Sequence, residues 1–259
     1  MTRARRLCTG KSAVDRFEDL DLEKIIPPSP IGLIREGLGL VELAKFLWRF
    51  PDLARQPRGN GETVLVLPGY GTDDLITTAL RTYLKYLGYL PLGWGLGRND
   101  GRVRDLVGKI LKRVAAEYRR TGRPVKLIGW SLGGFMAREV ARERPDRVER
   151  IITLGSPVVG GPKYTVVAGN YRKMGYDLDA IAAEIEKRNQ VPLDVPVTAI
   201  YSKRDYVVAW QACIDRVSGN VEHIEVRTTH LGLGFSPDVY RIIARRLAKP
   251  VRHPGKQRE

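Results

Sequence analysis

Residues 125–143 read VKLIGWSLGGFMAREVARE. The first six, apolar except for Lys126, form a run of strand length, suited to a buried strand. From Leu132 onward the apolar positions recur at helical spacing, and Pro145 stops the helix. Between the two stands Gly129-Trp130-Ser131-Leu132-Gly133, a G-x-S-x-G pattern on a strand-to-helix turn. Such a turn is sharp and strained. It lifts the serine hydroxyl above the sheet, over a helix N-terminus whose dipole favours negative charge. The glycines let neighbouring backbone come close. The alternative is an ordinary tight turn with a helix-capping serine.

Outward from this turn, strands and helices alternate. TVLVLPG (63–69), YLPLGWGL (89–96), VERIITLG (148–155), VTAIYS (197–202) and VEHIEVRT (221–228) are five further candidate strands. A helix is expected from Asp73 to Leu87 with Thr72 as its cap, and another between Asp100 and Thr121-Gly122. A short helix near 208–216 follows, and Ser236-Pro237 opens the last one. This order predicts an α/β domain over 61–249, with a mostly parallel central sheet and helices on both faces. Residues 156–195 break the alternation as a glycine- and proline-rich insertion with one helix near 178–189, long enough to act as a lid. Residues 1–60 are expected to form an N-terminal extension with a helix at 31–50. Its Ile31, Ile34, Leu38, Val41, Ala44, Leu47 and Trp48 share a face, expected to pack on the domain; the alternative is an interfacial helix. Residues 250–259 read as a basic tail.

A serine hydroxyl needs an adjacent base to become a nucleophile. The chain has three histidines. His223 falls inside a strand pattern and His253 in the basic tail. His230 follows the last strand, where reactive groups collect in parallel sheets, and is the expected general base and acid. Asp205 follows the fifth strand and precedes His230, giving the chain order Ser, Asp, His. Asp177 and Asp179 compete for that role but look like helix-start residues. The backbone N–H groups of Leu132 and of Tyr70, in LPGYGTDD, are the expected oxyanion donors. For Tyr70 the alternative is that PGYG only turns the chain.

Five segments, VLVLPGYGTDD, GWGLGRN, GWSLGG, IYSKRDYVVAW and RTTHLGLGFSP, together resemble the α/β-hydrolase superfamily. Within it they are similar to bacterial esterase/lipase-like proteins of the class 2 lipase type. The resemblance covers residues 60–249. It implies an α/β-hydrolase fold and hydrolysis of carboxylic esters through an acyl-serine intermediate, with no metal or organic cofactor. It assigns Ser131 as nucleophile, Asp205 as the acid, His230 as the base, and Tyr70 and Leu132 as oxyanion donors. Pro68-Gly69 departs from the His-Gly of many relatives. The same triad serves a thioesterase or an acyltransferase, and a non-catalytic anionic-lipid-binding protein is a further alternative.

Trp94, Leu96, Trp130, Phe135 and Met174 are expected to line an acyl pocket, with core filling as an equal alternative. Arg98 and Asn99 either fix the pocket loop or meet a polar head group. The 259 residues carry 44 Lys+Arg against 29 Asp+Glu, a net charge of +15. Spread over tails and helices, that charge first means a solvated surface and second an attraction to anionic membrane. Nucleic-acid binding ranks last, because no zinc, helix-turn-helix, RNA-binding or phosphate-loop signature is present. The expected partner is a small-molecule ester or lipid; oligomeric state is open. Two cysteines, Cys8 and Cys213, exclude a disulfide framework or a zinc cluster. No apolar run reaches transmembrane length, and the first thirty residues lack the apolar core of a secretion signal. A cytoplasmic protein, resting at most on a membrane surface, is expected.

Overall fold

A computed structural model describes residues 24–251 together with Phe17 and Leu20. Cys8, His253 and most of the two terminal segments lie outside the described residues. Among the described residues the strands are β1 (Thr63–Leu67), β2 (Leu90–Gly93), β3 (Val125–Trp130), β4 (Val148–Leu154), β5 (Val197–Tyr201) and β6 (Val221–Glu225). They form one sheet in the order β2-β1-β3-β4-β5-β6, and every pairing is parallel.

The apolar runs become strands because alternate residues serve different layers. Leu65, Leu67, Leu127 and Ile151 face one core, with Ile110 of α5 (Val103–Thr121), Met136 of α6 (Leu132–Glu143) and Ile185 of α8 (Leu178–Asn189). Val64, Val66, Ile128 and Ile152 face the other, with Leu80 and Tyr83 of α4 (Thr78–Tyr86) and Tyr240 and Ile243 of α9 (Pro237–Leu247). Residues adjacent along a strand thus point to opposite faces of the sheet. The chain leaves β1 for β2 on one side and then for β3 on the other. This strand-order reversal opens a crevice at the carboxyl ends of β1 and β3.

Some boundaries differ from expectation. Asp73, not Thr72, caps the turn before α4, accepting from the Leu75 N–H at 2.8 Å. A 3₁₀ turn over Asp74–Thr77 precedes α4. Asp100 bonds the Arg102 N–H and side chain but does not cap α5, which begins at Val103. The short helix near 208–216 is a 3₁₀ turn over Trp210–Cys213. In the insertion, α7 (Ala168–Lys173) joins α8, whose cap is Asp177.

The N-terminal segment is helical but broken: α1 (Leu33–Glu36), a 3₁₀ stretch over Gly37–Leu40, α2 (Val41–Trp48) and α3 (Phe50–Ala54). Its apolar face does not pack on the domain. Ile31, Ile34, Leu38, Leu47 and Trp48 are exposed, whereas Glu36 and Glu42 are buried. Space selects the inner face: a Cβ on Gly39 would lie 2.6 Å from the Gly232 backbone nitrogen.

Candidate active site

Ser131 follows the last residue of β3 and precedes α6. Its φ of 54° and ψ of −122° make it the single non-glycine residue with positive φ among the described residues. That conformation costs a side chain of order 1–3 kcal/mol, and it persists because the surroundings over-determine it. The Ser131 N–H donates to Leu154 O at 2.8 Å, which fastens the turn to the end of β4. Glycine is required around it. A Cβ on Gly129 would lie 2.3 Å from Gly134 Cα, and one on Gly133 2.3 Å from Leu67 O. The hydroxyl makes no capping bond to α6, which removes the helix-cap alternative.

His230 follows β6 through a short loop and is buried. Its Nδ1 lies 2.6 Å from Asp205 Oδ2. The other Asp205 oxygen accepts from the Val207 and Val208 N–H groups at 2.8 and 2.7 Å, which fixes the carboxylate after β5. Burial opposes the charged imidazole. The Asp205 charge and hydrogen bond, with the Glu36 charge behind them, outweigh it and raise the His230 pKa above the ordinary histidine value. Gly155, at φ 55° after β4, makes room for the pair: a Cβ there would come within 2.9 Å of both Asp205 Oδ2 and His230 Nδ1.

The loop after β1 comes down on the serine, since a Cβ on Gly69 would lie 3.3 Å from Ser131 Cβ. Its shape is held from behind. Buried Asn99 donates through Nδ2 to Pro68 O at 2.9 Å, and its backbone exchanges bonds with Gly71 and Thr72. Arg98 Nε donates to Gly71 O at 2.8 Å. Both residues therefore fix the loop.

A cavity of about 300 Å³ brings Ser131, His230, Tyr70 and Leu132 together. Its further lining is mostly apolar, including Leu33, Ile76, Trp130, Val167 and Tyr171, with Glu36, Thr72 and Thr165 as polar members. Of the expected acyl-pocket residues, Trp130 lines it; Trp94, Leu96, Phe135 and Met174 do not. Trp94 is fully buried, with its indole N–H on Gly97 O. Phe135 is buried and Leu96 packs on the same core, while Met174 is exposed at the end of α7. His223 has a structural place in β6, accepting from the Asp215 N–H at 3.0 Å.

Glu36 was not legible in the sequence. Buried in α1, it lines the cavity and accepts from three backbone N–H groups of the loops that carry Asp205 and His230. Oε1 receives Tyr206 N–H at 2.9 Å and His230 N–H at 3.1 Å; Oε2 receives Leu231 N–H at 2.7 Å. A glutamate within an apolar helical pattern carries no sign of which way it faces.

No family profile matches the chain. Among curated proteins, a mouse mitochondrial palmitoyl-protein thioesterase, ABHD10, is 24% identical over 62% of this chain and 65% of its own length. A pimeloyl-[acyl-carrier protein] methyl ester esterase from Citrobacter koseri is 32% identical over 40% of this chain and 41% of its own. The chain thus spans less than two thirds of these relatives. Among solved structures, mouse ABHD10 superposes with a TM-score of 0.51 at 22% identity, covering 74% of this chain and 90% of that one. A structure of the metagenome-derived lipolytic enzymes LipS and LipT reaches 0.60 at 18% identity, covering 74% and 94%. Six parallel strands with helices on both faces and these neighbours agree: the chain has the α/β-hydrolase fold.

Proposed function

We propose that the chain is a serine-dependent hydrolase of carboxylic esters. The observation that carries this reading is Ser131, held in a conformation that serine avoids, on the same cavity as a buried His230 paired with Asp205. His230 takes the Ser131 proton as Oγ attacks the ester carbonyl, and Asp205 steadies the imidazolium that results. The tetrahedral oxyanion is met by the backbone N–H groups of Tyr70 and Leu132. His230 then delivers its proton to the leaving alcohol. The acyl-serine is released by water that the same histidine activates.

The apolar lining suits an acyl chain. Val167 and Tyr171 come from the insertion, so we take residues 156–195 as the cover of that pocket. An apolar ester at a membrane face is the setting this reading favours. Thioester hydrolysis is the second reading, favoured by the mouse relative named as a palmitoyl-protein thioesterase; it uses the same groups with a thiolate leaving.

The test is initial rates on p-nitrophenyl esters from acetate to palmitate and on palmitoyl-coenzyme A, for the native chain and Ser131→Ala. Ester turnover should fall by at least about 10³-fold in the variant. Turnover of the thioester alone would select the second reading. Ester turnover that survives in Ser131→Ala would overturn both.

A further inference from the structure

The helical segment at 31–48 is inside out. Its carboxylates are within and its apolar side chains are without. Glu36 and Glu42 are both 7% exposed, against 83% for Ile34, 70% for Leu47 and 83% for Trp48. Ile31, Leu38 and Val41 are also more than half exposed. Scattered exposed apolar residues need no explanation, but a run of this size on one short segment marks an interaction surface.

The charge on this segment has one sign. Between residues 24 and 48 the only acidic residues are Glu36 and Glu42, and both are buried. Arg35 is exposed among the apolar side chains, and Lys45, also exposed, pairs with Glu42 at 2.8 Å. Exposed apolar side chains, an exposed tryptophan and an exposed arginine on a chain of net charge +15 are the features of a helix lying in the interface of an anionic bilayer. A copy of this chain, itself at +15, offers poor charge complementarity.

We propose that residues 31–48 dock the protein on anionic lipid bilayers, with Ile34, Leu47 and Trp48 entering the acyl boundary and Arg35 meeting the head groups. Leu33 joins this surface to the cavity, so docking turns the cavity mouth towards the lipid. The benefit to catalysis rests on the ester-hydrolase reading; the binding does not.

The experiment is co-sedimentation of the full chain with phosphatidylcholine vesicles, with and without phosphatidylglycerol. Of the four tryptophans, Trp94 and Trp130 are buried and Trp210 half-buried, so Trp48 reports on the surface. Binding should need phosphatidylglycerol and weaken as salt rises. It should shift the emission to the blue and expose it to quenching by brominated lipid. The double variant Ile34→Ser/Leu47→Ser should bind at least about tenfold more weakly while hydrolysing p-nitrophenyl acetate at the native rate. Ser131→Ala should bind as the native chain does, which separates failure of docking from failure of the catalytic reading. Three results would overturn the proposal: no binding to phosphatidylglycerol vesicles, equal binding by the double variant, or a dimer in sedimentation velocity that the double variant dissolves.

Discussion

At the scale of single residues, the proposed mechanism makes the His230–Asp205 pair govern how activity depends on pH. General-base catalysis requires neutral imidazole, and the fold raises the His230 pKa. The acid limb of kcat/KM should therefore lie above the ordinary histidine value of about 6.5. Asp205→Asn removes the charge and one acceptor, so the limb should move to lower pH while kcat falls by about 10³–10⁴-fold, by analogy with the serine-protease triad. A pH-rate profile of both proteins checks this; an unmoved limb would mean that His230 is not the titrating group. The same shift has a sign for stability. A raised folded pKa means that protonated His230 stabilises the fold fully below its unfolded pKa, and that this is lost as pH rises through the folded value. These residues could be anticipated because each stands just after a strand. The cavity lining could not: Trp94 and Trp130 both follow or end apolar runs, and only packing separates the fully buried one from the one at the cavity.

At the scale of elements, α6 must sit against the end of β1 for the site to exist. Gly133 provides that contact, since any Cβ there would meet Leu67 O at 2.3 Å and Pro68 O at 2.7 Å, both rigid backbone atoms. Gly133→Ala should push α6 away from the loop that carries Tyr70, lowering stability by about 1–3 kcal/mol and depressing kcat more than KM. Urea denaturation and steady-state kinetics would show it; a variant with native stability and kcat would mean that the contact is not tight. The middle of α6 is held by Arg138, whose guanidinium meets the Asp215 carboxylate at 2.5 Å in a buried pair. β1 was readable from sequence because burial on both faces leaves an almost continuous apolar run, and β3 and β4 because their few charged residues interrupt such a run only near its start. The opening of α5 was not: the Asp100 carboxylate is taken up by Arg102, two residues on, before the first helical turn. The face of the 31–48 segment was not readable either. Periodicity defines a stripe but not what the stripe meets, and here close approach at Gly39 and the acceptor demand of three loop amides outrank apolar burial.

At the scale of the whole molecule, the N-terminal segment and the candidate site are one construction. Glu36 reaches across 194 residues of chain to hold the His230 amide, and across 170 to hold that of Tyr206, beside Asp205. Arg49 continues the attachment at 2.9 Å from Asp238 of α9, and the Phe46 ring packs edge-on against Tyr240 and Tyr83. Glu36 touches no reacting atom in this scheme; it is a positioning residue, and its charge also favours protonated His230. Glu36→Gln keeps one acceptor oxygen but turns an NH₂ group towards an amide N–H and removes the charge. Losing a charge-assisted hydrogen bond costs about 1.5–3 kcal/mol, so kcat/KM should fall roughly tenfold or more. The distinguishing readout is the acid limb, which should move to lower pH in Glu36→Gln, in the same direction as in Asp205→Asn but by less. A segment that merely braced the fold would lower the melting temperature and leave the limb in place. Glu36→Ala, which leaves three loop amides without their acceptor, should lose more stability than Glu36→Gln while shifting the limb equally, because both lack the charge. Equal limbs in all three proteins would reduce Glu36 to a structural tie; a shared shift with unequal stability would make residues before the sheet part of the catalytic apparatus.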